Sequence, residues 1–154
     1  MRKHKFYTSA WLLEHSLEDN PLDVWRGDDS RIANLIKNNQ AYLDALDRAI
    51  ENSNGKTLDD VLEGVRLKKG DLYYSLHKVD IKVLGDKRAD GKWHIKSFLS
   101  DKYDFTEIQS FMGDKGELTT NASIGTLAND AAVYSQKIGA IKPYWIRVHF
   151  NIVR

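Results

Sequence analysis

The chain has 154 residues, of which 42% are hydrophobic and 29% charged, with a formal net charge of +1 and no cysteine. That length suits one domain over residues 1–154 with one core, and no apolar run approaches the ~18 residues of a membrane span. Without cysteine there are no disulfides or thiolate zinc sites, and the near-zero charge excludes a uniformly basic nucleic-acid binder while leaving room for a local basic face.

The basic start is followed by an apolar run, Ala10 to Leu13, that Glu14 cuts short, so no signal peptide is expected and the chain reads as soluble. Thr8 to Asp19 predicts a first helix with Trp11, Leu12, His15 and Leu17 near one face and Asn20-Pro21 as its stop. His15 is expected to pack or cap rather than to ligate. A polar connection, Asp23 to Asp29, carries Trp25 and Gly27 and leads to Ser30, good N-cap chemistry. Ile32, Leu35, Ile36, Tyr42, Leu43, Leu46 and Ile50 then recur at helical spacing and predict one long helix, closed by the turn Asn52-Ser53-Asn54-Gly55. Thr57 is expected to cap a short helix with Asp59 and Asp60 in its first turn and Gly64 as its stop, and Asp71 to cap one turn carrying Leu72, Tyr73 and Leu76.

From there the period changes to two. Val79, Ile81 and Val83 alternate with Lys78, Asp80 and Lys82. A hairpin connection from Gly85 to Gly91, with Asp90-Gly91 as its turn pair, leads to a strand in which Trp93, Ile95 and Leu99 alternate with His94, Lys96 and Ser100. Phe105 to Thr120 is glycine-rich and charged, and reads as a surface loop able to act as a lid. A helix is expected from about Ala122 to Ile138 with Gly139 as its stop, then a strand after Pro143 with Tyr144, Ile146, Val148, Phe150 and Ile152 on one face. The fold class is therefore α+β: a helical N-terminal third, then an antiparallel sheet of at least three strands with helices on one side.

Assigning the apolar positions to the core turns Lys78, Asp80, Lys82, His94, Lys96, Phe98, Trp145, Arg147 and His149 outward. Cations with two large aromatics suit a nucleic acid or a pyrophosphate-bearing lipid, although a lysine-rich solvated face is also the ordinary fate of an antiparallel sheet.

Where the alternation stops, Asp101, Tyr103 and Asp104 arrive together, with Glu107 and Asp114 downstream. Two carboxylates this close can share Mg2+ or Ca2+. One of them can act as a general base if its pKa is raised, or both can bond backbone amides at the strand end. A zinc site would need His94 and His149 to pair across strands, since the five histidines show no close spacing.

Gly91 to Phe105, GKWHIKSFLSDKYDF, resembles the stretch in colicin M-type bacteriocins where a strand enters an Asp-x-Tyr-Asp motif, and together with Leu127 to Phe150 it is similar to C-terminal toxin domains of polymorphic toxins. The resemblance implies a metal-dependent phosphodiesterase that cleaves the lipid-linked peptidoglycan precursor, with Asp101, Tyr103 and Asp104 catalytic and Asp101 and Asp104 on the metal. It also implies a cognate immunity protein, and a chain that is cytoplasmic or delivered as part of a larger effector. That family follows its motif with a His-Arg pair. Phe105 to Gly116 contains neither residue, so Arg147 and His149 are the candidates to neutralise charge and move a proton, with Lys96, His94, Trp145 and Phe98 holding substrate. Two other readings stand beside this one: a non-catalytic phage or bacterial interaction module built on Trp145 and Phe98, and a nuclease whose substrate crosses the basic face.

Overall fold

The structure, a computed structural model, describes residues 7–68, 70–103 and 135–154, with their side chains except that of Tyr74. Helices α1 (Tyr7–Ser16), α2 (Arg31–Lys37), α3 (Gln40–Glu51) and α4 (Gly70–Ser75) accompany strands β1 (Val24–Arg26), β2 (Thr57–Arg66), β3 (Lys78–Lys87), β4 (Trp93–Tyr103) and β5 (Tyr144–Val153). The strands form one sheet in the order β1-β5-β4-β3-β2, antiparallel except where β1 lies parallel to β5. This is the expected α+β class, and its five strands meet the expectation of at least three. Among the described residues no helix is long and apolar enough to cross a membrane. Of the helix expected over Ala122 to Ile138, residues 135–137 are helical; its remainder and the Phe105 to Thr120 loop lie outside the described residues.

The sheet is covered on one side. Ile81, Val83, Ile95, Leu99, Ile146, Val148 and Phe150 bury their side chains against Leu12, Ile36, Tyr42 and Leu46 of the helices. Burying such aliphatic side chains stabilises by roughly 1.5–3 kcal/mol each. One polar pair is enclosed with them: the Tyr42 hydroxyl lies 2.8 Å from the Ser97 hydroxyl, both side chains fully buried. Burial pushes the Tyr42 phenol up to about 12, so it stays protonated and able to donate.

Three expectations are corrected. Thr57 to Gly64 is not a helix but part of edge strand β2. Leu58, Leu62 and Val65 are all buried and follow helical spacing, yet they reach one side of a strand because an extra residue intervenes between Leu62, opposite Ile81, and Val65, opposite Val79. This β-bulge holds Gly64 at φ +60°, with its amide on Asp80. Asp59 pairs with Lys82, and Asp60 accepts from the Val61 amide, so neither carboxylate faces a helix dipole.

The long helix over Ile32 to Ile50 is two. Ser30 caps α2 as expected, but Asn38 closes that helix and Asn39 opens α3 by accepting from the Ala41 amide. Asn favours such caps because its side chain competes for backbone partners. Asp71, expected to cap its own turn, reaches 63 residues back: its carboxylate accepts the Thr8 amide at 2.7 Å and the Ser9 amide at 2.8 Å, capping α1.

Around Asp71, burial works to raise the carboxyl pKa, but the bonds from Ser9 and Thr8 outweigh it and hold the group below its ordinary value. A lowered carboxyl pKa stabilises the fold above the unfolded value and loses that contribution as pH falls through the folded one. Asp71→Ala should cost about 1–2 kcal/mol at neutral pH in urea denaturation, as lost N-caps do. The gap to the parent should stay constant above pH ~4 and close at lower pH; a gap unchanged by strong acid would refute this account of the clamp.

Candidate functional site

β4 sits between β3 and β5, and its alternation divides its residues. Trp93, Ile95, Ser97, Leu99 and Tyr103 are buried on the helix side, while His94, Lys96, Phe98, Ser100 and Lys102 occupy the open side. The ladders then set each open-face neighbour: Phe98 lies opposite Lys82 on one side and His149 on the other, Ser100 opposite Arg147, Lys102 opposite Trp145, and Lys96 opposite Leu84 and Asn151. All nine residues expected to face outward do so.

β1 adds a tryptophan that the sequence reading placed in a loop. Its parallel register sets Trp25 beside Arg147. Three strands thus present large aromatic side chains on one face, with Trp25 64%, Phe98 43% and Trp145 42% exposed. The Arg147 guanidinium lies 5.0 Å from the Trp25 ring centre and 5.6 Å from that of Trp145, and it donates to Asp23 at 2.6 Å. Cation–π contacts at exposed sites contribute about 0.5–1 kcal/mol each, enough to bias both rings toward one arrangement. Asp23 in turn is held below the usual carboxylate range, first by the Arg147 hydrogen bond and then by the Trp145 amide.

Between Trp25 and Phe98 lies a shallow depression of about 310 Å3, bordered by Lys82, Ser100, Arg147 and His149. The acids near this face are engaged: Asp23 with Arg147, Asp59 with Lys82, Asp86 with Arg88, and Asp80 with the Gly64 amide. Lys96, Lys102 and His149 make no side-chain hydrogen bond or ion pair among the described residues. Asp80 keeps its charge beside a neutral amide, but Lys78, Lys96 and Lys102 outnumber it, so the charge left over on this side among the described residues is positive.

Asp101 and Tyr103 lie elsewhere. Asp101 is opposite Ile146 and Tyr103 opposite Tyr144, so both share the helix-packed side, Asp101 half-buried and Tyr103 buried. Burial pushes the Tyr103 phenol up to about 12, and its ring lies 5.3 Å from that of Tyr144. Arg147 and His149 belong to the opposite side, and the sheet itself separates them from Asp101 and Tyr103. A phosphate resting on the open face meets Arg147 and His149, not Asp101 and Tyr103. Asp104, the other expected metal ligand, and Glu107 and Asp114 lie outside the described residues.

The zinc pairing of His94 with His149 does not form either. His149 is opposite Phe98 and His94 opposite Val153, four residues along the ladder, or about 13 Å at ~3.3 Å per residue. His15 packs as expected, stacked on Trp11 and bonded to Glu18 and the Leu22 carbonyl.

No family model, no curated protein and no solved structure matches the chain. Function has to be read from this geometry.

If Arg147 organises the two tryptophans, Arg147→Ala should red-shift the tryptophan emission and increase acrylamide quenching while leaving the circular dichroism unchanged. Lys96→Ala, on the same face but without an aromatic partner, should do neither. Equal spectra for parent and Arg147→Ala would show that the rings are held by something else.

Proposed function

We propose that the open sheet face is a recognition surface for single-stranded nucleic acid, on which Trp25, Phe98 and Trp145 stack bases while Lys96, Lys102 and His149 meet phosphates. The observation that carries this reading is the interleaving of three exposed aromatic side chains from three strands with uncompensated cations. Every base has a π-face, so stacking tolerates any sequence, and each stacked base contributes about 1–3 kcal/mol. The cations supply a salt-dependent, sequence-independent term. The depression between Trp25 and Phe98 offers one base a shallow seat bordered by His149 and Lys82. Strand ladders fix the spacing of these groups before any ligand arrives, which lowers the ordering cost of binding.

The phosphodiesterase reading takes a narrower form. The Asp101 and Tyr103 side of the sheet would have to supply its own cation and proton carrier, because Arg147 and His149 face away. What supports it is that Asp101 and Tyr103 share one side of β4 at the strand's end. A nuclease would need its polymer on the open face and its acids within reach of it, and Asp101 does not meet that requirement.

Fluorescence anisotropy with a labelled oligouridylate tests the first reading. Binding should weaken steeply with added salt, and Phe98→Ala or Trp25→Ala should weaken it by roughly tenfold, which is about 1.4 kcal/mol. No binding at low salt, or binding indifferent to salt, would sink the proposal. Bacterial growth on expression, compared with Asp104→Ala, tests the second reading independently: equal growth of the two strains removes it.

A further inference from the structure

The helix side of the sheet carries a feature that the open-face reading does not use. At the margin where α1, β1 and α2 meet, a pocket of about 260 Å3 is lined by Tyr7, Thr8, Trp11, Arg26, Arg31 and Ile146, among others. That is just below the usual ~300–1,000 Å3 of small-molecule sites. Its walls are mostly ring and aliphatic carbon, and its polar groups are few.

Those polar groups are poorly matched by the protein itself. Arg26 is opposite Val148, so its register points it toward the helix side, among apolar neighbours. Its guanidinium lies 4.4 Å from the Trp11 ring centre, and its side-chain hydrogen bond among the described residues goes to the neighbouring Trp25 carbonyl. A guanidinium has five N–H donors, so most of those of Arg26 are left to solvent or to a ligand. Arg31 lies 5.3 Å from the Tyr7 ring and only 3.6 Å from Asp71, whose carboxylate already receives two amides and the Ser9 hydroxyl. Thr8 is 7% exposed, and its Oγ1 is buried without a hydrogen-bond partner among the described residues. Such a hydroxyl carries its desolvation cost with no return, which points to a partner that arrives from outside.

We propose that this pocket binds a small organic carboxylate on an aromatic body, with Arg26 and Arg31 gripping the carboxylate. The planar fork of a guanidinium matches the two oxygens of a carboxylate. Trp11 and Tyr7, each already covered on one side by an arginine, hold those forks at the pocket wall while the ring of the ligand fills the apolar space. Thr8 Oγ1 gains an acceptor or a donor once the ligand is seated.

Benzoate is the probe, with benzamide and phenyl phosphate beside it, each titrated into the full chain and followed by tryptophan fluorescence and thermal shift. Benzoate should saturate in the millimolar range, as a ligand this small allows. Benzamide should not bind, and Arg26→Gln should weaken benzoate at least tenfold with an unchanged far-ultraviolet spectrum. Thr8→Val separates a binding role from a packing role. It removes a stranded hydroxyl, so the free variant should melt about 2–4 °C higher and yet bind benzoate more weakly. Absence of saturation by benzoate, equal binding of benzamide, tighter binding of phenyl phosphate, or unaltered affinity in both variants would each overturn the assignment.

Discussion

The architecture depends on two carboxylates that flank a three-residue strand. β1 covers the outer edge of β5 only at Ile146 to Val148. Asp23 then accepts the Trp145 amide at 3.1 Å and Asp28 accepts the Asn151 amide at 2.7 Å, so side chains continue the ladder where backbone runs out. Each aspartate also holds a cation, Arg147 for Asp23 and Lys37 for Asp28. The Lys37 hydrogen bond comes first and the Asn151 amide second in keeping Asp28 below the ordinary carboxylate range. Because β1 is placed this way, Trp25 stands beside Arg147 on the open side while Arg26 turns to the helix side.

How much of this was legible follows from how each element buries its side chains. β3, β4 and β5 each have one wet and one dry side, so their alternation is strong in the sequence, and the residues turned outward could be named individually. β2 has the same sidedness, but its bulge shifts the phase, and Leu58, Leu62 and Val65 come to mimic a helix. β1 is too short to show any period, and its tryptophan is recognisable only through pairing with a strand more than a hundred residues away. The break between α2 and α3 was written in the polar pair Asn38-Asn39, but the apolar spacing continues across it and hides the caps.

The acidic cluster teaches a different lesson. Asp101 and Tyr103 share the odd numbering of Ile95 and Leu99 along β4, so the alternation that turned Arg147 and His149 outward also turned these two inward. Closeness in sequence suggested one site where the pleat of the strand had already made two sides. What emerges is a sheet with separate chemistries on its faces. The open side offers flat aromatic area and cations, and the helix side places two guanidinium groups at the rim of a small apolar pocket. A flat face suits a long flexible ligand held at many weak points, whereas an enclosed pocket suits a small one held at few strong ones.

The parallel pairing of β1 with β5 also bears on biogenesis. Val24 to Arg26 leaves the ribosome before its partner strand has been translated, and at bacterial or eukaryotic elongation rates the wait is roughly 6–25 s. Until then Arg26 has Trp11 and Asp28 has Lys37, but Trp25 and Asp23 lack Arg147 and the Trp145 amide, so the open-face side of β1 is the last to find its partners.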